Sequence, residues 1–157
     1  MKLAHAIVLS AALACLAVSL PAAAYDISDA PTSAEERKSL SVTANDVVLI
    51  KAAIGAVAVV QFTGFDADTA SYRWRYRPAK SAQITSGKGQ VRESYDRKPK
   101  ADGGYEVTPK ADHDTTVRAG EVNLEWSYGS ATNGWLYYHP SRATIEILSP
   151  SDFDRDL

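Results

Sequence analysis

The sequence predicts an all-β protein whose antiparallel strands pack as two layers, a sandwich or a barrel. Three observations carry that expectation. From Val42 onward, turn-forming clusters recur about every ten residues. No long stretch places apolar residues at helical spacing. The segments SYRWRYR (71–77) and EVNLEWSY (121–128) alternate strictly, so each would carry one apolar face.

The first 24 residues stand apart. MKLAH carries one lysine, AIVLSAALACLAVSL is a 15-residue run without charge, and PAAA places small residues at Ala22 and Ala24. This order predicts a secretory signal peptide cut after Ala24, and so a periplasmic or secreted protein. The run is shorter than the roughly 20 residues a spanning helix needs, so no membrane span is expected after cleavage. Cys15, the only cysteine, falls inside the signal. The mature chain would then have no disulfide and no thiol nucleophile, and only its core would hold it. The 157 residues less those 24 leave 133, enough for one domain with a real core. Losing Lys2 leaves 16 basic against 19 acidic residues, a mildly acidic balance that argues against nucleic-acid binding.

Residues 25–41 read as a polar leader, with Ser33 and Glu36 spaced as a capping box for a turn or two of helix. The β domain is expected over 42–149. SVTANDVVLIKAA and GAVAVVQFTGF are β-branched and broken by Gly55; the alanines would suit a helix, but the valines and the glycine favour strand. SYRWRYRP follows and is closed by Pro78. TSGKG (85–89) reads as a turn before GQVRESYDR, and GYEVTPK is a short strand. TTVRAGEVNLEWSYG contains the turn RAGE, and GWLYYHP and ATIEILSP close a set of about seven or eight strands. The tail SPSDFDRDL is polar, and 150–157 is expected to be loose.

The predicted core follows from alternation. Tyr72, Trp74 and Tyr76 would share one face of their strand, and Val122, Leu124, Trp126 and Tyr128 one face of theirs. Packed together they would make a two-layer core. The order of these elements over about 42–148, with Trp74 about a dozen residues after AVAVVQF, resembles an immunoglobulin-like sandwich without its disulfide.

Three groups of residues are candidates for function. Arg73, Arg75 and Arg77 would form a guanidinium ladder opposite the aromatic face. Glu121, Glu125 and Glu93 are the acids expected to neutralise it; otherwise the ladder suits an anionic partner, since arginine grips carboxylates and phosphates bidentately. The loop GSATNG with Trp135, Tyr137, Tyr138 and His139 is the second group. Trp135 shares a face with Tyr137, and Leu136 with Tyr138, so one pair should face the core and the other be partly exposed. Tyr and Trp are favoured at interfaces, and sugar-binding surfaces also use their flat rings. DHD (112–114) and DADT (66–69) lack the spacing of a metal site, and no hydrolase, phosphate-loop or zinc motif is present, so neither metal nor cofactor is expected.

The expected function is an exported, non-enzymatic binding module for a protein or glycan partner of the cell envelope. In layout the chain is similar to the chagasin-like inhibitors of cysteine peptidases, cysteine-poor immunoglobulin-like domains that use three loops at one end. By position those loops fall near FDADTASY, DGGY and GSATNGW, although only Gly103-Gly104 and Gly134-Trp135 echo the family's signature residues. Two alternatives are a cell-envelope hydrolase, for which Glu121 and Glu125 offer carboxylates, and a structural subunit assembling through an exposed sheet edge in AAIGAVAVVQF.

Overall fold

The computed structural model describes residues 23–29 and 36–157. The expected signal peptide up to Ala22 and Ser33 of the expected capping box lie outside the described residues. Among the described residues twelve strands are present, more than the seven or eight expected: β1 (Tyr25–Asp26), β2 (Lys38–Thr43), β3 (Val47–Ala52), β4 (Val57–Phe65), β5 (Thr69–Arg77), β6 (Thr85–Arg92), β7 (Tyr95–Pro99), β8 (Tyr105–Pro109), β9 (Thr116–Ala119), β10 (Val122–Ser130), β11 (Asn133–Tyr138) and β12 (Ala143–Leu148). All pairings are antiparallel except β1 with β10. One five-stranded sheet, sheet A, joins β2 to β11 to β10, with β1 and β9 also on β10. Sheet B runs β12-β3-β4-β5-β6, and β7 and β8 form a separate hairpin.

The apolar alternation of the strands becomes one buried cluster that draws on both sheets. Val48, Ile50, Val60, Phe62, Tyr72 and Tyr76 from sheet B meet Val42, Val117, Leu124, Trp126 and Leu136 from sheet A. Trp126 is fully buried, and Trp74 and Tyr128 pack against the cluster partly exposed. At about 25 cal/mol per Å², burying a residue of this size contributes several kcal/mol. The doubtful segment IKAAIGAVAVV is strand on both sides of a tight turn, where Gly55 takes φ +88°. That left-handed conformation suits glycine because it has no Cβ.

The extra strands come from three places. SVTANDVVLIKAA is two strands in different sheets rather than one. The chain crosses between sheets at Asn45 (φ 73°), and the Asp46 carboxylate holds the corner by accepting from the Thr43 amide (2.7 Å) and hydroxyl (2.9 Å). The expected leader also contributes structure. Tyr25 donates its N–H to Glu121 O at 2.6 Å, Ile27 is fully buried, and β2 begins at Lys38. The Ser28 hydroxyl donates to Tyr137 O (3.1 Å) and accepts from Glu125 N (2.5 Å), tying β1 to β10 and β11. Finally, the β7–β8 hairpin is exposed at every residue.

TSGKG is not a turn; it lies inside β6. Gly87 pairs with Trp74 and Gly89 with Tyr72, and the rings cover the glycines. A Cβ at Gly87 would fall 2.6 Å from Trp74 Cζ2, and one at Gly89 2.4 Å from Tyr72 Cζ. Here glycine marks the close approach of a cross-strand ring.

The tail also differs from expectation. Pro150–Asp154 form a 3₁₀ turn, opened by reciprocal bonds between Ser149 and Asp152. Phe153 is only 5% exposed, packed with Val47, Leu49 and Val59 on the side of sheet B away from the main core. Phe153 fills a valine and leucine patch that β3 and β4 present there, with Leu148 and Leu157 packed beside it. β3 and β4 are interior strands of sheet B, so AAIGAVAVVQF presents no open edge for assembly.

Candidate functional site

The alternation of β5 puts Arg73, Arg75 and Arg77 on the outer side of sheet B. None of them meets the acids expected to neutralise them. Glu121 accepts instead from the Tyr76 hydroxyl at 2.9 Å; burial, with that bond and charge, pushes the Tyr76 phenol up to about 12. Glu125 pairs with Arg37 at 2.5 Å on the other sheet. Glu93 is buried near the β4–β5 turn, where its N–H donates to Asp68 O.

The C-terminal turn takes the place of those acids. Arg75 donates to Phe153 O (3.0 Å) and to Arg155 O (2.7 Å). The Arg73 guanidinium lies 3.9 Å from the centre of the Phe153 ring, and its Nε donates to Gln61 Oε1 at 2.7 Å. Arg77 reaches Ser81 O at 3.4 Å. Two of the three arginines therefore bind the chain's own tail.

The aromatic segment divides as its alternation requires. Leu136 is buried and Tyr138 packs against the core. Trp135 and Tyr137 face outward from sheet A, and Trp135 is 38% exposed. Its cross-strand neighbours are Ser127 on β10 and Ser41 on β2. Those of Tyr137 are Glu125 and Ser39. Arg37 stacks over the Tyr137 ring at 4.2 Å while pairing with Glu125. The result is a shallow face with one free indole, one braced phenol and a fringe of hydroxyls. His139 lies beyond it: only 4% exposed, it donates its backbone N–H to Ile27 O, and its carbonyl accepts from Arg142. The arginine ladder and the exposed aromatics are thus on different sheets and do not form one surface.

The acidic segments are engaged locally. Asp112 pairs with Arg92 and Asp114 with Arg118. The His113 ring lies 2.6 Å from Lys110 O. Lys110 bridges Asp68 (2.6 Å) and Asp96 (3.3 Å), pinning the hairpin base to the β4–β5 turn. The hydrogen bond to Lys110 holds the Asp68 carboxyl below its usual value, and the same bond raises the Lys110 ammonium. Beside this bridge a hollow of about 230 Å³ is lined by Asp68, Glu93, Tyr95 and Tyr128 among others, so the β4–β5 turn, the hairpin base and the end of β10 meet there.

Sequence reasoning missed three exposed hairpin residues, Tyr95, Tyr105 and Val107. The signal was present, since YDRKP and YEVTP alternate, and Tyr95, Arg97 and Pro99 pair with Pro109, Val107 and Tyr105 to share one face. Nothing in the sequence says that this ribbon packs on neither sheet.

No family model matches the chain, and neither the curated proteins nor the solved structures include a significant match to it.

Proposed function

We propose that the protein is an exported, non-enzymatic binding module that engages a protein or glycan partner of the cell envelope through the outer face of sheet A. One observation carries this reading: Trp135 stands exposed between Ser127 and Ser41, beside a Tyr137 ring fixed under Arg37. The Tyr137 ring, already held under Arg37, costs little entropy on binding, the exposed Trp135 indole offers a large flat contact, and hydroxyls at their border can hydrogen-bond a polar partner. In this reading, two five-stranded sheets sharing one core are an immunoglobulin-like sandwich that serves as a scaffold for the face. Cleavage after Ala24 would make Tyr25 the first residue, its new amino group still able to donate to Glu121 O. The loop-borne, inhibitor-like variant of this reading uses the end where the β4–β5 turn meets the end of β10.

The test is capture of partners from envelope extract, together with binding to soluble envelope polysaccharides. Protein purified after expression of the full chain is compared with Trp135→Ala. The substitution should abolish capture or weaken it at least tenfold. A variant that retains every wild-type partner at equal affinity removes Trp135 from the binding surface.

A further inference from the structure

We infer that the outer side of sheet B carries a second binding site, separate from the Trp135 face, for a saccharide-sized ligand bearing an oxyanion. Arg73 on β5 and Lys88 on β6 are direct cross-strand partners. Like charges placed opposite one another are destabilising unless something neutralises them. Among the described residues, neither side chain forms an ion pair. Arg73 is nevertheless held in place: its Nε bonds Gln61, and its plane rests 3.9 Å from the centre of the Phe153 ring. Its terminal nitrogens make no hydrogen bond to any described residue and remain available as a fork.

Space for a ligand adjoins this pair on both sides. A hollow of about 470 Å³ is lined by Asn45, Gln61, Thr63, Tyr72, Arg73 and Lys88. A second, of about 230 Å³, is bounded by Arg73, Lys88 and Phe153 with Trp74, Ser86 and Gly87. Among the described residues, no carboxylate lines either one. Two uncompensated cations select an anion. The side-chain amide of Asn45 and the hydroxyl of Thr63, both on exposed residues and without a partner among the described residues, suit sugar hydroxyls. The larger hollow is roomier than a bare phosphate needs, and its lining matches the mixture of charge and hydroxyls on a uronic acid or a sugar phosphate. The docked tail is part of the site, because Phe153 orients Arg73.

The test is a nuclear magnetic resonance titration of protein purified after expression of the full chain. The probes are glucuronate, glucose 6-phosphate, inorganic phosphate and glucose. Saturable shifts at Asn45, Gln61, Thr63 and Lys88 are expected with glucuronate, with glucose 6-phosphate, or with both, and the better of the two identifies carboxylate or phosphate as the anion. Inorganic phosphate should bind more weakly and glucose should not bind. Lys88→Gln, an exposed position, should weaken binding about fivefold, as expected for one partly screened ion pair. Lys100→Gln on the hairpin should leave binding unchanged, and so should Trp135→Ala. The inference is overturned if neither anionic sugar saturates these resonances, if glucose binds equally well, or if Lys88→Gln binds like wild type. Because Lys88→Gln should still capture the envelope partner, failure of this site and failure of the Trp135 face are distinguishable.

Discussion

Replacing Phe153 by alanine tests how a polar tail is held on a polar-looking sheet face. Phe153 is 5% exposed and covers Val47, Leu49 and Val59. Full burial of a side chain of this size contributes about 1.5–3 kcal/mol. The Arg73 stack adds about 0.5–1 kcal/mol at a partly exposed position. The loss has a ceiling, however. The tail follows β12, joins no sheet and packs apart from the main core, so it can peel away without opening that core, and the variant loses no more than the docking free energy of the tail. A decrease of about 3 kcal/mol in unfolding free energy is expected, or about 10 °C in Tm for a domain of this length. Urea denaturation measures the first quantity and calorimetry the second. Trypsin provides a local readout, because the Arg155 carbonyl is bonded to Arg75 in the docked tail. Cleavage after Arg155 should accelerate in Phe153→Ala well before the domain unfolds. A loss below about 0.5 kcal/mol with unchanged cleavage would show that the tail is not anchored by its aromatic ring.

Gly134→Ala should be among the costliest small substitutions, because a Cβ there would lie 2.1 Å from Nε1 of the fully buried Trp126. An overpacking cost of about 1–3 kcal/mol is expected in urea denaturation, whereas Gly103→Ala, with open space around it, should show only backbone strain. The hairpin base should loosen in acid. Asp68 has a depressed carboxyl pKa in the folded protein, so its pairing with Lys110 contributes fully above the unfolded value of about 3.9 and is lost as pH falls through the lower folded value. Amide relaxation across residues 95–109 should therefore change below about pH 4 in wild type and already be changed at neutral pH in Asp68→Asn; identical profiles in the two proteins would refute the pairing.

Much of the fold was legible in the chain because alternation is a local property. That Tyr72 and Tyr76 share one face of their strand, and Leu124 and Trp126 one face of theirs, follows from period-2 spacing alone, as does the division of Trp135 and Tyr137 from Leu136 and Tyr138. What spacing does not state is which strands become neighbours. Glu121 and Glu125 have the right alternation to face the arginine ladder, yet Glu125 lies on β10 of the other sheet and Glu121 in the turn that leads into it. Gly87 and Gly89 look like turn residues because the rings above them, Trp74 and Tyr72, belong to the preceding strand rather than to their own neighbours in sequence.

The chain by itself determined the strand-rich class and the alternating core faces, each written in residues close together in sequence. Tertiary structure alone decided that the arginine face is covered by Phe153 and the last turn, that Arg73 and Lys88 meet across β5 and β6, and that the aromatic face lies on the opposite sheet. The physical reason is range. Side-chain direction along a strand is set by its own backbone, whereas the partner across a sheet or over its face is chosen by all the apolar surface the folded chain must cover at once.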